Sequence, residues 1–258
     1  NFGKATVDLL NSQINLYNKS NSINYITERK IEKIPFQKEI KFKDIYFSYE
    51  NKQVLENLNF DIKKNTLTAI TGKSGSGKST LVSLLMGLAK QDKGSIYVDS
   101  KEINSNEKII HDWRSGIGYV PQSIFVLDNS LKNNIALGVE EDKIDNDKLL
   151  SSIENSKVSE FIKDLPNGVE SRIGSAGINI SSGQLQRIGL ARALYNKPDL
   201  LILDEATSAL NLELEKDIFK ILLNLKINTT IIVITHRESN LNYCDEVFKI
   251  TEKKIIKI

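Results

Sequence analysis

The run Gly72-Lys73-Ser74-Gly75-Ser76-Gly77-Lys78-Ser79-Thr80 constrains the fold of this chain more than any other stretch. It fits the pattern G-x-x-x-x-G-K-S/T, whose glycines let backbone N–H groups turn inward around phosphate oxygens. Thr66-Leu67-Thr68-Ala69-Ile70-Thr71 precedes it and is apolar enough for a buried strand. After it, Leu81, Val82, Leu84, Leu85 and Leu88 recur at helical spacing. A helix N-terminus would add its partial positive charge to the loop. Lys78 supplies a compact cation to the phosphates, and Ser79 offers a hydroxyl to Mg²⁺.

Strand, glycine loop and helix form the seed of a parallel sheet, and the rest of the chain extends that pattern. Val98 closes a short strand that begins near Ser95, and another runs over Ile117-Val120. Apolar strands are expected at Leu200-Leu203 and Thr230-Ile234, with helices from about Gly183 to Asn196 and around Leu212-Leu225. Strands alternating with helices imply a mostly parallel sheet covered on both faces. Ahead of the loop the period changes to two. Ile40 and Phe42, then Ile45, Phe47 and Tyr49, read as an antiparallel strand pair continued by Leu58-Ile62. A polar stretch of small helical segments fills about Ser130 to Pro166. Residues 1–38 read as a helical tail and linker outside the main core, with Val7, Leu10, Ile14, Leu16 and Tyr17 in loose helical spacing and Pro35 as a break.

Charge and cysteine usage exclude some classes of function. The 35 basic and 33 acidic residues nearly cancel, which argues against a nucleic-acid partner. Cys244 is the single cysteine, so no internal disulfide forms; it reads as a small half-buried residue. No apolar run reaches the length of a membrane span.

A phosphate loop alone does not separate an ATPase from a GTPase or a kinase. The run Asp199-Leu200-Leu201-Ile202-Leu203-Asp204-Glu205 narrows the choice. Asp204 ends a buried strand, where parallel sheets bind their ligands, and a carboxylate there can hold Mg²⁺. Glu205 is then placed to accept a proton from attacking water. The alternative is that the two carboxylates cap a helix N-terminus. His236 follows Ile231-Ile232-Val233-Ile234-Thr235, a strand expected beside that of Asp204, and is either structural or within reach of a terminal phosphate. His111 has no such setting and reads as a surface residue.

Taken together, these motifs resemble the nucleotide-binding domain of an ATP-binding cassette (ABC) transporter of the exporter type, over about Glu39 to Ile258. The resemblance implies a P-loop NTPase core, an antiparallel β subdomain, and a helical subdomain carrying a signature motif, with ATP and Mg²⁺ as ligands. It assigns Tyr49 to stacking on adenine, although a plain sheet aromatic would read alike. It assigns Gln122, in Gly118-Tyr119-Val120-Pro121-Gln122, to the metal or its water. Ile180-Ser181-Ser182-Gly183-Gln184 stands where the family carries L-S-G-G-Q, and it implies that Ser181, Ser182, Gly183 and Gln184 meet the nucleotide of an opposite subunit. Ser208-Ala209-Leu210-Asn211 sits at the D-loop and His236 at the switch histidine.

Three positions depart from the family pattern: Ser182 replaces a glycine, which would crowd the backbone if φ were positive there; Asn211 replaces an aspartate; and Ser171-Gly177 lacks two glutamates. The implied partners are a second nucleotide-binding domain, with a homodimer favoured over a heterodimer, and a transmembrane domain on the same longer chain. The resemblance further implies a place at the cytoplasmic face of the inner membrane and a lipid, lipid-linked glycan or peptide cargo. A soluble ABC ATPase of translation or DNA repair, or an ATP-gated interaction module, are the alternatives.

Overall fold

The computed structural model describes residues 31–207 and 210–258. The expected N-terminal helix and the first two D-loop residues, Ser208 and Ala209, lie outside the described residues.

The alternating segment after the tail forms a single strand, β1 (Glu39–Tyr49), instead of the expected strand pair; its antiparallel partner is β2 (Lys52–Lys63). The apolar phase slips by one residue between Phe42 and Ile45, and the structure absorbs that residue in a bulge at Asp44. Asp44 has φ +50°, and Asn59 ties down both its N–H and its carboxylate. The slip therefore keeps Ile40, Phe42, Ile45 and Phe47 all buried.

β3 (Leu67–Gly72) leads through the glycine loop into α1 (Lys78–Leu85). Leu88, expected on this helix, lies past its end and is 64% exposed. There follow β4 (Lys93–Val98), β5 (Lys101–Glu102), α2 (Glu107–Arg114) and β6 (Ile117–Val120). The polar middle of the chain holds β7 (Asn129–Ser130), α3 (Leu131–Ile135), α4 (Asn146–Asn155), α5 (Ser159–Ile162) and β8 (Arg172–Ile173). Then come α6 (Ser182–Leu194), β9 (Leu200–Asp204), α7 (Leu212–Leu225), β10 (Thr230–Ile234), α8 (Glu238–Leu241), β11 (Glu246–Thr251) and β12 (Lys254–Lys257). None of the described helices is long and apolar enough to cross a membrane.

The main sheet has six strands in the order β12-β11-β3-β10-β9-β6, parallel except for β12; the antiparallel sheet runs β2-β1-β4-β5. Successive residues of the central strands serve opposite faces. Leu200, Ile202, Ile232 and Ile234 join the core shared with α1 and the antiparallel sheet. Leu201, Leu203, Ile231 and Val233 join a second core with α6 and α7. A third cluster packs α3 to α6 around Ile153, Phe161 and Ile188. Burial on both faces explains why these strands read as continuous apolar runs. The linker reading needs one correction: Ile34 and Phe36 are buried in the first core, and Phe36 meets Trp113 edge-on. The packed unit thus begins by Lys33.

Candidate functional site

The carboxyl ends of β3, β9 and β6 converge, and the glycine loop crosses them. Gly77 caps α1 with φ +107°, and a Cβ there would lie 2.7 Å from Leu55. Having no side chain, Gly77 leaves the first-turn N–H groups of α1 to an outside acceptor. Lys78 is only 6% exposed, and its side chain folds back along the loop. Its Nζ donates to the carbonyls of Gly72 at 3.0 Å and Lys73 at 3.2 Å and lies 3.6 Å from Glu205 Oε1.

Glu205 reaches Lys78 because the chain leaves β9 in the left-handed region, with φ +51°. Its N–H is held by the carbonyl of Ile234 at 3.1 Å, which fixes the turn against β10. Such a backbone is costly for a non-glycine residue and persists only where surroundings impose it. Gln122, at the exit of β6, donates from Nε2 to Glu205 Oε2 at 3.3 Å. Asp204 takes hydrogen bonds from the hydroxyls of Tyr119, at 3.3 Å, and Ser79. Burial, together with the neighbouring Glu205 charge, holds the Asp204 carboxyl above the usual carboxylate range despite those bonds and Lys78. Burial and the Asp204 charge push the Tyr119 phenol up to about 12, so it remains a donor.

Gly77, Lys78, Ser79, Gln122, Asp204 and Glu205 line one open cleft of about 460 Å³ with Tyr49, Lys52, Val54, Ser74, Gly75 and Thr80, a volume in the range of small-ligand sites. Tyr119 reaches it only through Asp204. Tyr49 is 54% exposed at the cleft rim, its ring braced edge-on against buried Phe47. The buried hydroxyl of Ser76 has no hydrogen-bond partner among the described residues and packs against Gly72, outside the cleft lining. An uncapped helix start and a buried lysine suit a polyphosphate. The Ser79–Asp204–Gln122 set suits Mg²⁺, which takes few protein oxygens and completes its shell with phosphate and water.

Two predicted elements lie outside this cleft. His236 is exposed in the loop two residues past the end of β10, the strand directly beside that of Asp204. Ser181, Ser182, Gly183 and Gln184 start α6 elsewhere. Ser181 caps that helix, with Gln184 N–H donating to its hydroxyl at 3.3 Å and its own N–H donating to Gln184 Oε1 at 2.9 Å. Ser182 is the first helical residue and is not among the positive-φ positions, so the serine brings no backbone strain. Asn211 accepts the N–H of Leu214 at 2.9 Å as N-cap of α7, a role asparagine fills as well as aspartate. In the segment without glutamates, Arg172 instead forms a two-pronged pair with Asp128.

The sequence reading missed Tyr119 and Lys52 as site residues. Period-two patterning reads Tyr119 as an outward strand residue, and nothing local shows that its hydroxyl reaches Asp204. Lys52 reads as a turn lysine, and only the pairing of Tyr49 with Lys52 brings it to the cleft.

A family model described as "ABC transporter" matches residues 55–208. The chain belongs to the ABC transporter family. It carries the family's nucleotide-binding ATPase domain, of the exporter type. It is 36% identical over 218 residues to the ATP-dependent lipid A-core flippase of Pasteurella multocida, covering 84% of this chain and 37% of that protein. The flippase of the same description from Vibrio parahaemolyticus is 34% identical over 256 residues, 98% of this chain and 42% of that one. A solved bacterial Atm1-family ABC exporter with ATP bound superposes with a TM-score of 0.76 at 28% identity, covering 88% of this chain and 40% of that one. The chain thus spans well under half the length of these relatives.

Proposed function

We propose that this ABC domain binds ATP with Mg²⁺ in the cleft and hydrolyses it as the motor of a membrane exporter. The observation carrying this reading is the cluster at the strand ends: Glu205 lies 3.6 Å from Lys78 and is held by Gln122, beside Asp204. Lys78, the α1 N-terminus and the loop backbone around Ser76 bind and orient the phosphates, and Tyr49 offers its ring to the base. Ser79, Asp204 and Gln122 hold the metal, which when bound neutralises phosphate charge. Glu205 accepts a proton from the attacking water, help typically worth about 10²–10⁴ in rate. His236 meets the terminal phosphate from the loop after the adjacent strand.

The face formed by Ser181, Ser182, Gly183 and Gln184 then serves the nucleotide of a second chain, in a head-to-tail dimer. A homodimer is the favoured form, with pairing to a different cassette as the alternative. The motor works on a transmembrane domain, at the cytoplasmic face of the inner membrane. The names of the flippase relatives support a lipid or lipid-linked cargo.

Fluorescent-ATP titration and steady-state hydrolysis test the catalytic core of this reading. Wild type should bind and hydrolyse ATP only with Mg²⁺, and Lys78→Ala should lose both. Hydrolysis that survives Lys78→Ala would refute it.

A further inference from the structure

Beside the cleft a buried polar network joins two loops that the fold could have left independent. Glu215, on the first turn of α7, is 2% exposed, and each of its oxygens has a partner. Arg237 Nη1 donates to Oε2 at 2.7 Å, and Asn240 Nδ2 donates to Oε1 at 2.7 Å. The same Nη1 donates to the carbonyl of Leu210 at 3.1 Å. The hydroxyl of Thr235 accepts from the Arg237 N–H at 3.1 Å and from Asn240 Nδ2 at 3.3 Å. Thr235 is itself bonded into the sheet through Ile70. His236 therefore has both neighbours tied down while its own ring stays exposed. The other end of the network holds Leu210 and α7, in the segment that follows Asp204 and Glu205.

We propose that the Arg237–Glu215–Asn240 network is a positioning device that locks His236 to the chain leaving Glu205, so that the two move as one unit. This rests on the reading of His236 as the group that meets the terminal phosphate. A buried carboxylate fixes its partners tightly because leaving either oxygen unpaired is costly. One nitrogen, Nη1 of Arg237, spans Glu215 and the Leu210 carbonyl together; a lysine ammonium ends one bond nearer the backbone and would not sit between them. In this arrangement Arg237 acts on the reaction through its neighbour His236.

The test uses Arg237→Lys and Glu215→Gln in the whole chain, with Thr235→Val as a milder break should either fail to fold. Displacement of a catalytic group by about 1 Å costs up to about 10²-fold in rate. Hence kcat should fall about tenfold or more, while ATP affinity stays within about twofold. His236→Ala combined with Arg237→Lys should be no slower than His236→Ala alone, since both act through one group. Hydrogen exchange, which needs no turnover, should show amides 210–215 and 235–240 losing protection together in each variant. Folded variants with wild-type kcat, additive losses, or deprotection confined to one segment would overturn the proposal. Full activity in His236→Ala would instead refute the reading of His236, and an inactive His236→Ala beside an active Arg237→Lys would refute the network alone.

Discussion

The cleft around Lys78 and the face at the start of α6 offer the same chemistry, N–H groups and hydroxyls for phosphate, but are built differently. The cleft draws on β1, β3, β6 and β9 and combines a buried lysine, a strained left-handed backbone at Glu205 and a turn at Gly77 that glycine adopts freely. The α6 face is local, unstrained and complete in itself: Ser181 and Gln184 satisfy each other, and Ser182 stays exposed. Under the proposed roles, strain and burial are concentrated at the reacting centre, whereas the face proposed to serve a second chain needs only a well-capped helix end.

Removing chemistry from the cleft should have the largest effect. Glu205→Gln should lower the hydrolysis rate about 10²–10⁴-fold while ATP still binds, as read by turnover and by fluorescent-ATP titration. Near-wild-type turnover would remove the proton-accepting role. Gly77→Ala would put a side chain where only glycine fits: at φ +107° and against Leu55 it should cost about 1–3 kcal/mol of stability, visible in denaturant melts, and weaken ATP binding. Tyr119→Phe removes one hydroxyl from Asp204, a loss of about 0.5–1.5 kcal/mol, and should appear as a changed Mg²⁺ concentration dependence of ATP binding. The unstrained face should respond least. Ser182→Gly, although it restores the family residue, should lower thermal stability slightly, by about 0.5–1 kcal/mol, because glycine is the poorer helix residue. A gain in stability would mean that the serine is strained after all.

The two regions also differed in how far the sequence disclosed them. The glycine loop, β9, β10 and α7 were legible because apolar periodicity and turn chemistry act over a few residues; β10 and α7 have the bounds that the pattern implies. The bulge at Asp44 was not, since a one-residue slip in an alternating pattern looks like a chain reversal until the partner strand is known. Burial of Ile34 and Phe36 was hidden for a related reason: an isolated apolar residue beside a proline does not reveal what will cover it. Tyr119 and the Arg237–Glu215 pair depend on contacts between residues distant in sequence. Local patterns therefore gave the elements and most cleft residues, while the groups that aim them required the fold.

Complementation between two damaged chains tests the central claim, that one chain's cleft is completed by another chain's α6 face. Lys78→Ala destroys the cleft and spares the face. Ser181→Asp keeps a good helix cap but brings a negative charge toward phosphate, sparing the cleft. Each variant should be nearly inactive alone. Mixing them should restore hydrolysis, because mixed dimers contain one intact cleft opposite one intact face. A mixture as inactive as its components, with both chains folded, would contradict the shared site.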